Sequence, residues 1–240
     1  MIDTPSIVLA GRGPSILTAQ LPEGVPFCAV SSGVFCCHRK PAHFVTMDLP
    51  KYFTGKVRLP EDHYWSNDPK CHWWPFLNDP AVAKHVPEGI YRAGWDKKGV
   101  PPGKHKTVDI EDIMILLGGV KKRPDLLGWQ PGWADFRNVA AHPWDLKHPP
   151  NFGPDGPMGT GGEAVAKSVT FAVQLMARLG YRRMYFAGID MHTRNLKRAS
   201  DLMRSWLPLA EAAGVEWINL APQSRLADWM PTVGREVLVA

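Results

Sequence analysis

At 240 residues, 45% of them hydrophobic and 21% charged, the chain is long enough to bury a sizeable core and has an ordinary globular balance. No apolar run approaches the roughly 18 residues of a membrane span, and four irregularly spaced cysteines exclude a disulfide framework. A net charge of +5 allows an anionic partner, whether a nucleotide, a polyanionic acceptor or nucleic acid. The densest basic groups, Lys97-Lys98 and Lys121-Lys122-Arg123, are short and read as a solvated face before a nucleic-acid groove.

The start, Met1-Ile2-Asp3-Thr4-Pro5, has no basic region ahead of an apolar stretch, so a cytoplasmic protein without a secretory signal is expected. Residues 7–10 then form an apolar run that breaks into Gly11-Arg12-Gly13-Pro14-Ser15. That pattern predicts a buried strand opening over a phosphate-sized space. The glycines permit close backbone approach and the proline fixes the turn. Ser15 is placed to cap a helix that Pro22 would stop, with amides at its start favouring phosphate. The motif is neither the G-x-G-x-x-G fingerprint nor a P-loop, and a merely structural turn is the competing reading. Residues 27–31 and 44–47 predict two further buried strands.

Residues 54–158 change character and predict an irregular, loop-rich insertion within one α/β domain spanning 1–240, serving as a lid or acceptor-binding surface. Proline and tryptophan recur there, as in Cys71-His72-Trp73-Trp74-Pro75 and Trp129-Gln130-Pro131-Gly132-Trp133; the rings could stack on a base or sugar or simply anchor the loop. Residues 108–117 alone show clear regular-structure potential, with helix and strand both open. Cys36-Cys37-His38 and Cys71-His72 hold zinc-type ligands but no C-x-x-C pair, and buried thiols are the preferred reading, with no metal site assigned.

Order returns at Gly159-Thr160-Gly161-Gly162, which leads into a helix over 163–179 with Val165, Val169, Ala172, Val173, Met176 and Leu179 at helical spacing. Gly180 ends it, residues 181–188 form the next strand, and a helix over 195–213 stops at Gly214 before a strand over 215–220. This β-α-β-α-β series predicts a doubly wound, mainly parallel, Rossmann-like α/β sheet. Ligands of such sheets sit beyond the carboxyl ends of the strands, where Ser15, Ser31, Asp48, Asp190 and the turn Ala221-Pro222-Gln223-Ser224 would gather. Gly188-Ile189-Asp190-Met191-His192 puts a carboxylate and an imidazole past a buried strand, and histidine's pKa near 6.5 suits it to take a proton from a hydroxyl. An inert surface histidine is the alternative. His142 and His148, in the proline-rich region, have no motif around them.

Four segments carry a family resemblance. The opening resembles the Ala-Gly-x-Gly-Pro-Ser start of the bacterial sialyltransferases that build terminal sialic acid on lipo-oligosaccharides. Thr160-Gly161-Gly162 and the run from Leu179-Gly180-Tyr181 to Gly188-Ile189-Asp190 resemble that family's helix and Gly-Ile-Asp strand. His192-Thr193-Arg194-Asn195 resembles its His-Ser-Lys-Asn catalytic segment, and Ala221-Pro222-Gln223-Ser224-Arg225-Leu226-Ala227 its turn near the nucleotide. The opening and the Gly-x-Asp strand are also similar to a wider group: archaeal-type hydroxymethylpterin pyrophosphokinases, motility-associated factors that glycosylate flagellin, and uncharacterised phage-encoded relatives. The resemblance covers residues 5–53 and 159–230 and leaves out the middle. The chain departs from the sialyltransferases at Arg12 and at Ser31-Ser32, where they carry asparagines, and at Pro157-Met158-Gly159, where they carry an arginine. Met191 alone replaces their long loop before the histidine.

The resemblance implies a transferase that moves a sugar from a nucleotide sugar, such as a CMP-sugar, with inversion and no essential metal. His192 would be the general base and Asp190 would fix the ribose or orient the site. Nucleotide contacts would come from Gly11, Arg12, Gly13, Pro14, Ser15, Ser31, Ser32, Asp48, Thr160, Gly161, Gly188, Gln223 and Ser224. Arg12 adds a charge suited to a phosphate. The acceptor would be a glycan or small molecule ahead of DNA or protein, and a homo-oligomer stays open. The alternatives are diphosphate transfer from ATP with Mg²⁺ on Asp48 and Asp190, and a nucleotide-binding module without catalysis.

Overall fold

The structure, a computed structural model, describes residues 4–36, 40–48, 79–92, 139–155, 158–159, 167–192 and 194–233. Its frame is a sheet of seven strands: β1 (Ser6–Ala10), β2 (Phe27–Val30), β3 (His43–Val45), β4 (Ala83–Pro87), β5 (Val139–His142), β6 (Arg183–Ala187) and β7 (Glu216–Asn219). They lie in the order β5-β4-β3-β2-β1-β6-β7, and every pairing is parallel. The order reverses between β1 and β6, which is the topological switch point of an α/β sheet.

β1 shows why a parallel strand reads as a continuous apolar run. Ile7 and Leu9 face one core cluster and Val8 and Ala10 the other, all fully buried. Each larger side chain so buried contributes roughly 1.5–3 kcal/mol. Two helices cover the first face, α1 (Ser168–Arg178) and α2 (Arg194–Ala212). α1 is buried from Val169 to Ala177, between the sheet and the segment around Phe152 and Met158. α2 is amphipathic, burying Ala199, Met203, Trp206 and Ala210 at helical spacing. The glycines that end both helices, Gly180 (φ 95°) and Gly214 (φ 71°), take the left-handed conformation expected of them.

Among the described residues the opposite face carries two short 3-10 segments, the four-residue Pro14–Leu17 after β1 and the six-residue Ser31–Cys36 after β2. The helix expected from Ser15 is therefore one turn long. Gly13, which has no side chain to cap with, occupies the cap position, and the Ser15 hydroxyl, one residue into the turn, is engaged with Asp190.

The stretch expected to be irregular supplies the outer strands β4 and β5. Their sequences carry no strand signal: Lys84 and His85 are polar at buried positions, and Ala140 and Ala141 are exposed. Lys84 is accommodated by bonds from Nζ to the carbonyls of Asp79 (3.2 Å) and Val82 (3.3 Å). The helix-or-strand segment 108–117, the paired tryptophans 73–74, Trp129, Trp133, Cys37, His38, Cys71, His72, Thr160, Gly161 and Gly162 lie outside the described residues, as does the side chain of Ser32. No described helix is long and apolar enough to cross a membrane.

Candidate functional site

The two glycine-bearing motifs, more than 170 residues apart in the chain, meet at the carboxyl ends of β1 and β6 and lock together. The Gly11 amide donates to the Ala187 carbonyl (2.8 Å) and the Gly13 amide to the Gly188 carbonyl (2.6 Å). A Cβ on Gly11 would strike the Gly188 carbonyl, and one on Gly13 would strike the Asp190 carboxylate. Gly188, at φ 65°, needs glycine for its conformation as well as for space, since a side chain there would meet the Gly11 carbonyl. The small residues of the first motif thus let the second motif approach.

Asp190 and Ser15 fasten this junction. Asp190 is 6% exposed and Ser15 fully buried. One carboxylate oxygen accepts the Ser15 amide (3.1 Å) and the other accepts its hydroxyl, while that hydroxyl accepts the Gly188 amide (3.1 Å). A buried carboxylate is stable only when it meets donors of this kind. Both expected partners are in place, but they face each other. The amides of Gly11, Gly13 and Ser15 donate within the protein, and Ile16 donates to the Gly13 carbonyl (3.1 Å).

Past Asp190 the backbone of Met191 is left-handed at φ 59°, an unfavourable conformation for a residue with a Cβ, and the Met191 side chain is buried. The turn brings out His192, whose exposed ring places Nε2 3.1 Å from the Gln223 carbonyl. A carbonyl only accepts, so neutral His192 carries its proton on Nε2 and presents Nδ1 as the basic nitrogen. The Gln223 side chain donates to Thr18 Oγ1 (2.8 Å), and Thr18 donates to the Ser15 carbonyl (3.4 Å). The turn after β7, the last of the strand-end turns, is thereby tied to the turn after β1.

That last turn is built by Asn219, buried at the end of β7. Its carboxamide accepts from the Ala221 amide (3.2 Å) and the Ser224 hydroxyl (3.2 Å) and donates to the Ala221 carbonyl (2.8 Å). Ser224 accepts the Leu226 amide (3.1 Å), and the Arg225 amide donates to the Asp190 carbonyl (2.9 Å). Ser224 is 4% exposed and holds the turn, while Gln223 is exposed.

A second polar group stands at the ends of β2 and β3. Ser31 has φ 50°; its hydroxyl donates to the Asp48 carboxylate, which also accepts from Thr46 Oγ1 (3.3 Å). Ser31 and Met191 are the non-glycine residues with positive φ among the described ones; Ser31 directly follows β2, and Met191 lies four residues past the end of β6. Gly33 draws the Ser31 turn onto β1, where a Cβ would strike the Ala10 carbonyl.

Exposed or half-exposed at this end of the sheet stand Arg12, Pro14, Thr18, Ser31, Asp48, His192 and Gln223. Sequence reasoning missed Thr18, Gly33 and Asn219. Asn219 had a signal, a lone carboxamide in an apolar strand run, and Gly33 followed a strand end; Thr18 had none.

No family model and no curated protein sequence matches the chain. Among solved structures it is similar to the sialyltransferase CstII of Campylobacter jejuni in complex with a substrate analogue, cytidine-5'-monophosphate, at 11% identity and a TM-score of 0.42, covering 94% of this chain and 84% of that one. It is also similar to an apo α-2,3-sialyltransferase of the same organism, at 12% identity and a TM-score of 0.41, covering 97% and 81%. The monofunctional α-2,3-sialyltransferase Cst-I of that organism gives 13% identity and a TM-score of 0.39, covering 97% and 81%. The wider group named from the motifs, phage relatives included, stays an expectation of the sequence.

Proposed function

We propose that this protein is a transferase that moves a group from a nucleotide-activated donor, most simply a sugar from a CMP-sugar, to an acceptor hydroxyl, with His192 as general base. The observation that carries this reading is the bond between His192 Nε2 and the Gln223 carbonyl at the carboxyl-end side of the sheet, beside the switch point. It fixes the tautomer in which Nδ1 can take a proton. As the acceptor oxygen attacks the anomeric carbon, its proton passes to Nδ1 and the bond from that carbon to the nucleotide phosphate breaks. The imidazolium so formed keeps its Nε2 bond to a carbonyl, a favourable partner for a cation.

Donor contacts in this reading fall to the exposed side chains. Arg12 would meet the phosphate, and Ser31, Asp48 and Gln223 would line the nucleoside and its sugar. Gly11, Gly13, Ser15, Gly188 and Ser224 would support them from behind, and Asp190 would be a positioning residue that holds the His192 turn. Nothing in the reading requires a metal. Its acceptor is a hydroxyl-bearing glycan or small molecule.

The test is a thermal-shift screen against CMP, CDP, UDP, GDP, ADP and ATP, each with and without Mg²⁺, followed by donor turnover with wild type and His192→Ala. A ligand at about 100 times its dissociation constant stabilises by roughly 2.7 kcal/mol. The expected result is metal-independent stabilisation by CMP, kept in His192→Ala while turnover is lost. Stabilisation only by ATP with Mg²⁺ would instead identify diphosphate transfer to a hydroxymethyl acceptor. Binding without turnover in wild type would leave a nucleotide-binding module, and no response to any nucleotide would overturn the reading.

A further inference from the structure

Three histidines lie on one diagonal of the sheet. His43 opens β3, His85 is central in β4 and His142 ends β5. The register sets His85 beside Val45, two residues past His43, and His142 beside Pro87, two residues past His85. A strand repeats every two residues, so all three rings stand on the same face. They touch end to end. The Tyr181 hydroxyl is 3.0 Å from His43 Nε2, His43 Nδ1 is 3.2 Å from His85 Nε2, and His85 Nδ1 is 2.8 Å from His142 Nε2. The far end passes under α1, where the Phe171 ring lies 6.1 Å from that of His142.

Proton counting limits what this line can hold. Each ring-to-ring contact takes one proton, so three neutral rings must share one tautomer. Either all carry hydrogen on Nδ1 and His43 accepts from Tyr181, or all carry it on Nε2 and His43 donates to the Tyr181 oxygen. One added proton also fits, on any ring, because the outer nitrogens His43 Nε2 and His142 Nδ1 absorb the excess. A second cannot: three protons would then share two contacts, setting N–H against N–H in a line that carries two cations.

The surroundings offer no relief among the described residues. Arg178 of α1 acts on His142, and Cys28 of β2 acts on Tyr181. Lys84, the neighbour of His85 along β4, points to the other face and binds the Asp79 and Val82 carbonyls. Burial is the first cause that holds all three rings below the ordinary histidine value. His85 is pushed down to about 3 by burial, then by the charges of His142 and His43.

We propose that the His43–His85–His142 line is a proton-operated latch that fastens β3, β4 and β5 to Tyr181 when neutral and releases the β4–β5 edge when it takes up a second proton. β3 leads directly into Thr46 and on to Asp48, so release loosens the Ser31–Asp48 group, while the Ser15–Asp190 junction follows β1 and β6, which carry none of the three histidines.

Amide hydrogen exchange of the full chain at pH 7.5 and pH 5.0, corrected for intrinsic rates, tests this. Protection of β4 and β5 is expected to fall at least about tenfold relative to β1 and β6, and nitrogen NMR at pH 7.5 to show one tautomer for all three rings. His85→Gln, whose carboxamide links its neighbours without titrating, should abolish the local fall. If that variant does not fold, His142→Gln at the half-buried end serves the same purpose. Mixed tautomers, or a fall spread equally over β1 and β6, would overturn the latch, as would no fall at all.

Discussion

On the β1–β6 side of the sheet the buried carboxylate of Asp190 is met by an amide and a hydroxyl, whereas on the β3–β5 side one buried and two half-buried imidazoles satisfy one another. Both networks remove polar groups from water, and both span strands distant in the chain. In the first, the Ser15 hydroxyl both accepts and donates, but the Gly188 amide can only donate to it, which leaves its proton for Asp190 and gives each bond one direction. The second works only while the proton count is right, because each ring nitrogen is donor or acceptor according to tautomer. A buried polar network therefore specifies position when its end groups fix the direction of every bond, and senses its surroundings when a tautomer can reverse them.

The contrast can be broken most severely at Asp190. Asp190→Ala leaves the Ser15 amide and hydroxyl buried without their acceptor, each costing roughly 1–3 kcal/mol, so denaturant unfolding should show a loss of about 3 kcal/mol or more. A loss below about 1 kcal/mol would mean the junction does not hold the two motifs together.

Glycines sharpen the same point. Gly188→Ala meets both a left-handed backbone and the Gly11 carbonyl, whereas Gly180→Ala, also at positive φ, has nothing within 4 Å. The first should destabilise by about 2–3 kcal/mol and the second by about 1–2 kcal/mol, the cost of the conformation alone. Equal melting temperatures for the two variants would show that strand-end crowding contributes nothing.

Acid should act on the other network. His43, His85 and His142 have folded pKa values below the unfolded 6.5, so the unfolded chain binds more protons below that pH. Their contribution is fully present above about pH 6.5 and is lost as pH falls towards 3, the value His85 approaches. The slope is at most about 1.4 kcal/mol per pH unit for each histidine that titrates. Urea midpoints from pH 7.5 to 4.5 check this, and the slope should flatten in His85→Gln.

The smallest effect on stability is expected at His192. Its ring is exposed, and His192→Ala should stay within about 0.5 kcal/mol of wild type by thermal unfolding. Under the proposed reading the same change lowers transfer by about 100-fold or more. A variant that is both stable and fully active would remove His192 from the chemistry.

Much of the fold was legible because several elements announce themselves locally. The continuous apolar runs of β1 and β6, the helical spacing of Val169, Val173 and Met176, and Gly180 and Gly214 past the helix ends are all short-range signals. β4 and β5 lacked them. A lysine and a histidine at buried positions read as loop, and bonds to the Asp79 and Val82 carbonyls and to neighbouring rings help make those positions tolerable. At the site, the Gly-x-Gly turn, the Gly-Ile-Asp turn and the Ala-Pro-Gln-Ser turn were each visible as special. What they are special for was not visible, because a glycine that admits a ligand and a glycine that admits another strand end look alike in one dimension.

The sequence by itself determined the α/β class and the glycine-marked strand ends, since these follow from period and backbone freedom, and it offered His192 as the candidate base that the proposal tests. The tertiary structure decided which groups pair: that Ser15 and Asp190 face each other, that Gln223 sets the tautomer of His192, and that three unremarkable histidines form a line. Pairing across a parallel sheet is fixed by the register of strands tens of residues apart, and no local property of either partner carries that register.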